Sequence, residues 1–394
     1  MIHSMRWFGP QDPVPLMHIR QAGCSGIVTA LHQIPVGEIW TRAQIQERKK
    51  IIEKDNHIKS SLHWLVVESL PVHEDIKKGL PARDKLIENY IHSLENLAAE
   101  GIYTVCYNFM PVLDWSRTNL QYTFQDGSES LRFDMVDFAC FDLFILKRPD
   151  AEKDYSKAII RKAEEKFFKL KSEEKKELEN TILLGLPGSE EAFELGNFQE
   201  LLNEYKEIGA RELKENLFYF IQKIGPMAKK LGIKLSIHPD DPPMPLLGLP
   251  RVVSTEKDLE ELMQAYDDPS NGITFCTGSL GVRPDNNINE LFKKYANRVH
   301  FLHLRTTKRE SESPLVFHEA RHLEGDVEFY ELIKSILLEE RRRGNVFIPM
   351  RPDHGLKILD DFHKKSYPGY SAIGRLKALA EIRGLEYAIK TYLK

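Results

Sequence analysis

The sequence predicts an eight-stranded (β/α)8 barrel, and three observations lead there. Short apolar runs alternate with amphipathic, helix-length stretches through both halves of the chain. The last four runs are nearly uninterrupted in apolar character, as parallel strands covered on both faces require. Those same four runs each lead into a side chain able to bind a metal. A chain of 394 residues is long enough for one such domain.

The elements follow in order. Met5–Phe8 is the first strand candidate, Leu16–Gly23 a short helix, and Gly26–Leu31 the second strand. Thr41–Asp55 reads as a charged helix with Thr41 as its N-cap, since a threonine hydroxyl there can accept from an unpaired first-turn N–H. Ile58–Val67 is the third strand, and Ala82–Ala99 an amphipathic helix with Leu86, Ile87, Tyr90, Ile91, Leu94 and Leu97 on one face. Tyr103–Phe109 is the fourth strand.

The rhythm then breaks. From about Trp115 to Gly209 the chain carries polar turns and Lys/Glu-rich stretches, far longer than an ordinary βα connection. It reads as a mostly helical insertion, about 115–209, within a single barrel domain spanning 1–394. The charge run Lys171–Glu179 is a solvated helix face. Alternation resumes with strands Lys234–His238, Gly272–Thr277, Val299–Arg305 and Val346–Met350. Helices Glu212–Leu231, Glu256–Tyr266, Ile288–Ala296, Val327–Arg343 and Gly374–Tyr392 surround them. Neither GxGxxG after a strand nor GxxxxGK[ST] occurs, so a dinucleotide fold or P-loop is unsupported.

Composition narrows the function. A net charge of −4 offers no basic surface for nucleic acid. No apolar run reaches the ~20 residues needed to span a bilayer, and no signal-peptide order stands at the N-terminus. Cys24, Cys106, Cys140 and Cys276 are widely spread, which fits a reducing cytoplasm. The first three read as small buried hydrophobes.

In a barrel of this kind the chemistry sits at the C-terminal strand ends. His238, Cys276, His303 and Asp353 fall there on strands five to eight. Imidazole, thiolate and carboxylate together suit Mn²⁺, Fe²⁺ or Zn²⁺ and disfavour Ca²⁺. His300 differs in parity from His303, faces the opposite side of the strand, and reads as structural. His354, beside Asp353, suits a general acid or base near neutral pH. Pro368-Gly369-Tyr370 presents a phenol on a tight turn. Arg6, Trp7, Asn108 and Arg305 lie at other strand ends, and Arg6 and Arg305 suit a carboxylate clamp. His318, Glu319, Arg321 and His322 occupy a polar loop after strand seven that covers the site. Arg6, Trp7, Asn108, Arg305 and His322 are the expected substrate contacts.

Several of these segments resemble the mannonate dehydratase family. They are Met5-Arg6-Trp7-Phe8-Gly9-Pro10, Ser236-Ile237-His238-Pro239-Asp240-Asp241-Pro242, Phe275-Cys276-Thr277-Gly278-Ser279, Met350-Arg351-Pro352-Asp353-His354-Gly355, Pro368-Gly369-Tyr370 and Ile373-Gly374-Arg375. The resemblance implies a TIM barrel of the xylose-isomerase-like class. It implies dehydration of D-mannonate to 2-keto-3-deoxy-D-gluconate in hexuronate breakdown, with Mn²⁺ or Fe²⁺ as cofactor. The family's metal ligands fall on His238, Cys276, His303 and Asp353, and its catalytic pair on His354 and Tyr370. The runner-up is a metal-dependent sugar isomerase on the same barrel, and a non-catalytic sugar-acid binder is a third reading. A homodimer is expected, with the insertion as a dimerisation element.

Overall fold

The computed structural model describes residues 1–54, 61–185 and 193–393. The part of the third strand expected at 58–60, and Asp55 at the end of the second helix, lie outside them. In chain order the strands are β1 (Ile2–Arg6), β2 (Gly26–Thr29), β3 (His63–Glu68), β4 (Thr104–Tyr107), β5 (Asn119–Thr123) and β6 (Glu129–Asp134). They continue with β7 (Lys234–Ile237), β8 (Asn271–Cys276), β9 (Val299–His303), β10 (Thr307–Glu312), β11 (Leu315–Glu319) and β12 (Pro349–Arg351). Eight of them close a parallel barrel in the order β1-β12-β9-β8-β7-β4-β3-β2.

The barrel closes because each strand has two faces to bury. Ile27, Val67, Val105, Leu235, Ile273, Leu302 and Met350 point outward into the main core under the helices. Val28, Val66, Cys106 and Phe301 point inward and fill the barrel itself. Parity therefore puts Glu68 and His303 one layer above Val66 and Phe301, at the upper mouth. Register aligns the mouth: Cys276 pairs with His303, and His303 with Arg351.

Helix starts follow their caps. Thr41 accepts from the backbone of Gln44, whose side chain returns the bond, so the expected N-cap closes a full capping box. The barrel helix Arg83–Ala99 buries Ile87, Tyr90, Leu94 and Leu97. Cys24, Cys106 and Cys140 are free and buried.

Three expectations need correction. The first strand is Ile2–Arg6, three residues earlier at its start than the apolar run suggested, and the last is Pro349–Arg351. Val346 and Phe347, about half exposed, precede that last strand. The insertion opens with an antiparallel hairpin, β5–β6, before it becomes helical. The segment after β9 is a second hairpin, β10–β11, so His318 and Glu319 stand on a strand and not on a loop. β11 pairs with β6, and the two hairpins form one sheet in the order β10-β11-β6-β5. The outer strands β5 and β10 alternate between exposed and half-buried positions over most of their length, and pairing with β6 and β11 makes them strands. A second apolar cluster, with Phe133, Phe138, Phe141, Phe198 and Phe317 fully buried, underlies this sheet and the insertion helices.

His300 faces out of the barrel, as its parity requires. Its Nε2 lies 2.8 Å from the Pro269 carbonyl, and its ring covers Gly272, where a Cβ would come within 2.3 Å of it. Burial pushes the ring's pKa down from 6.5 to about 3. A ring neutral in the fold but titrating near 6.5 when unfolded favours the unfolded chain as acid is added. Stability tied to His300 is therefore full above about pH 6.5 and falls towards pH 3, by about 2 kcal/mol at pH 5. Urea titrations at pH 7.5 and 5 are expected to show that loss, and His300→Gln to reduce its pH dependence.

Candidate metal centre

Three donors meet where β7, β8 and β9 end. The ligand atoms of His238, Cys276 and His303 all lie within 4.8 Å of one another. His238 Nε2 and His303 Nδ1 are 3.1 Å apart. The far nitrogen of His238, Nδ1, sits 2.7 Å from the Pro239 carbonyl, which can only accept. That fixes the proton on Nδ1 and turns the Nε2 lone pair inward. Burial lowers the His238 pKa, which keeps the ring neutral and able to coordinate. His303 Nε2 faces Glu68 Oε1 at 3.4 Å and Arg351 Nε at 3.2 Å. Arg351 Nε donates to this nitrogen as the site stands; with a cation on Nδ1 the Nε2 proton would turn to Glu68, the carboxylate–histidine backing common at metal sites. The Cys276 thiol is fully buried, with the Ser279 hydroxyl 3.1 Å away. Two imidazoles and a thiol, each backed from behind, fit a divalent transition metal.

Asp353 lies beside this cluster but not within it. Its Oδ2 is 3.9 Å from the Cys276 sulfur and 4.0 Å from His303 Nδ1. Two guanidinium groups hold the carboxylate: Arg351 in close contact and Arg305 at 3.0 Å. Burial would raise the carboxyl, but Arg351, the neighbouring histidines and Arg305 outweigh it and hold Asp353 well below the ordinary range. The residue has a left-handed backbone, φ 57°. Aspartate tolerates that region better than bulkier side chains, and the reversal turns Asp353 and His354 to different partners.

Around the donors runs a buried lattice of alternating charge. Glu68 takes Arg351 through both oxygens, at 2.9 and 2.7 Å, and Arg6 at 3.2 Å. Asp241 takes Arg117 and Arg305, each at 2.8 Å. Glu319 takes Arg117 at 2.7 Å and Arg305 at 2.9 Å. Burial works against ionising Glu68, Asp241 and Glu319, yet their arginines keep all three charged, Glu319 down to about 2.

His354 Nδ1 is 3.3 Å from Glu319 Oε1. Its ring lies edge-to-face with Tyr370, centroids 5.3 Å apart, and with Trp115 at 6.2 Å. Burial pushes the Tyr370 phenol up to about 12, although Arg351 pulls the other way.

The expected substrate contacts fall in different places. Arg305 is at the centre of the lattice and Arg6 at its edge. Asn108 donates to Asp114 at 2.9 Å. Trp7 is packed into the main core with the Arg48 guanidinium over its ring. His322 Nε2 is 2.8 Å from the Leu304 carbonyl and 2.9 Å from that of Pro352, so it ties the ends of β9 and β12 together. A cavity of about 120 Å³ opens beside Arg6 and includes His32, Ser69 and Asp114. Arg6 Nε and His32 Nε2 are buried there without hydrogen-bond partners. Sequence reasoning noted Glu68 only as a polar group ending the third strand and did not single out Arg117, Asp241 or Arg351 as site residues. Glu68 stands on a strand end and Asp241 lies in the motif carrying His238, so both had a signal. Arg117 had none.

The barrel and its donor cluster define a (β/α)8 barrel with a candidate metal site at its mouth. The model of the D-mannonate dehydratase (UxuA) family matches residues 1–394, and the chain belongs to that family. A mannonate dehydratase of Chromohalobacter salexigens is 51% identical over 393 residues, 99% of each chain. One from Marinomonas sp. (strain MWYL1) is 51% identical over 399 residues, covering all of both. The crystal structure of mannonate dehydratase from Streptococcus suis serotype 2 superposes with TM-score 0.79 at 33% identity, covering 100% of this chain and 94% of that one.

Removing the backing of a ligand should weaken the metal less than removing a donor. Glu68→Gln is expected to lower divalent-metal affinity about 10–100-fold, and Cys276→Ala to lower it further. Competition against a chelating dye measures both, and unchanged affinity in the two variants would refute the donor set.

Proposed function

We propose that this protein dehydrates D-mannonate to 2-keto-3-deoxy-D-gluconate and water, a step in hexuronate breakdown, with Mn²⁺ or Fe²⁺ as cofactor. The observation that carries the reading is the convergence of His238, Cys276 and His303 in a chain of this family, with His354 and Tyr370 in ring contact on the segments after β12. These three residues would hold the cation, with Asp353 beside them as the fourth ligand. When bound, a divalent cation supplies Lewis-acid stabilisation of the negative charge that develops on the substrate carboxylate.

The chain's own groups account for the proton transfers. The C2 proton beside a carboxylate is weakly acidic, and its removal requires a base held against it. The C3 hydroxyl leaves as water only if it receives a proton. Tyr370, raised to about 12 by burial, carries its proton at neutral pH and is suited to donate. His354 then takes the C2 proton. The C2–H and C3–O bonds break, the hydroxyl departs with the tyrosine proton, and the enol left behind tautomerises to the 2-keto acid. Arg305 and Arg6 supply positive charge for the substrate's carboxylate. The cavity beside Arg6, with its unpaired Arg6 and His32 nitrogens, offers donors to the hydroxyl tail. We place the reaction in the cytoplasm and expect a homodimer.

A thiobarbiturate assay on D-mannonate detects the 2-keto-3-deoxy product, which an isomerase would not make. Activity is expected to vanish on chelation and return with Mn²⁺ or Fe²⁺. Full activity in metal-depleted protein would overturn the reading. His354→Asn is expected to lower kcat by about 10²-fold or more with metal content intact, measured by elemental analysis beside the assay. Lost metal would make His354 a ligand instead.

A further inference from the structure

We propose that Glu319 is the positioning residue of His354: it keeps the imidazole proton on Nδ1 and so leaves Nε2 as the nitrogen that faces the substrate. This rests on the role given to His354 above and adds a residue from outside the barrel strands.

Glu319 ends β11, so the hairpin after β9 delivers it over the mouth. Both partners are buried, His354 at 5% and Glu319 at 3% exposure. At 3.3 Å the Nδ1–Oε1 contact is close, yet it falls short of a well-aligned hydrogen bond, and Nδ1 has no other partner. An ionised carboxylate can only accept. A bare nitrogen lone pair held that near it would be repelled, so the proton belongs on Nδ1. Catalytic hydrogen bonds are often long before substrate arrives and tighten afterwards. The other acidic neighbour, Asp353, is already engaged by Arg351 and Arg305.

The ring has little freedom to turn away. Gly369 lies against its other edge, where a Cβ would be 3.0 Å from the ring's Cδ2, and Tyr370 closes a face. Glu319 is itself fixed. Oε1 accepts from Arg117, and Oε2 lies 2.9 Å from Arg305 as a charge pair without hydrogen-bond alignment, so Arg117 orients the carboxylate before the histidine is considered. Arg117 is fully buried and also ties to Asp241, which anchors the arrangement to the loop after β7.

Glu319→Gln separates orientation from bulk. A glutamine has one oxygen for two arginines, so its amide nitrogen must take one of the carboxylate positions. With the amide nitrogen towards Nδ1 the opposite tautomer is favoured; with the oxygen there, where Arg117 donates, the acceptor stays but the charge that steadies the protonated ring is lost, so kcat falls either way. The expected result is a fall in kcat of about 10²-fold, with KM for D-mannonate and metal content little changed. Glu319→Asp, which keeps the carboxylate, should recover part of kcat. The tautomer is read directly from imidazole nitrogen-15 shifts in full-length, histidine-labelled protein loaded with diamagnetic Zn²⁺. The His354 signal is assigned by its loss in His354→Asn, and the spectrum is taken where the ring is neutral.

Nδ1–H in the wild type supports the proposal. It does so even if the glutamine variant fails to fold, or if D-mannonate proves not to be the substrate, in which case only the substrate reading falls. Nε2–H in the wild type overturns the proposal. So does a folded glutamine variant with undiminished kcat, or one whose defect lies only in KM or metal content.

Discussion

The mouth of this barrel depends on buried ion pairing between carboxylates and arginines. Glu68, Asp241, Glu319 and Asp353 are all removed from water, and each would be costly there alone. Arg6, Arg117, Arg305 and Arg351 answer them with planar, multidentate donors. Because Arg117 and Arg351 each bridge two carboxylates and Arg305 bridges three, the groups fix one another's positions. The metal-capable donors are set inside that frame. Glu68 backs His303, and Arg305 and Arg351 both hold Asp353. Loss of one member would leave a charge unpaired in a dry interior, which is far costlier than loss of a surface pair.

The frame also explains how the site combines rigidity with reactivity. The strand ends supply donors whose backbones are locked by register. The groups read as proton carriers, His354 and Tyr370, stand on the segments after β12, where the backbone can turn. Asp353 occupies the left-handed region and Gly369 does likewise at φ 79°. The left-handed turn at Asp353 stands where two adjacent side chains take different partners.

Much of this was legible in the sequence. Strand ends could be read because apolar runs terminate visibly, and parity then separated His303 from His300. The barrel order followed from alternation. The hairpins were not legible. Thr307–Glu312 is almost wholly polar, and its strand character exists only through pairing with Leu315–Glu319 and, beyond it, Glu129–Asp134. The sequence places Glu319 over the site, but its pairing with Arg117 was hidden for the same reason. They are distant in sequence, and nothing local marks an arginine that will be buried against an acid two hundred residues away. Trp7 and His322 illustrate the converse: position near the mouth did not determine which way the side chain would be used.

The sheet that roofs the mouth has one strand pair from each half of the chain. β5 and β6 follow the fourth barrel strand, whereas β10 and β11 follow the seventh. Barrels of this architecture are often pictured as two half-barrels that evolution can duplicate or exchange. Here the halves are stitched together above the strands as well as along them, through β6–β11 pairing and the Arg117–Glu319 contact. A crossover between divergent relatives at the middle of the chain would join compatible strands under a mismatched roof. The two hairpins therefore have to match each other across the β6–β11 seam, a demand that the barrel strands beneath them do not make.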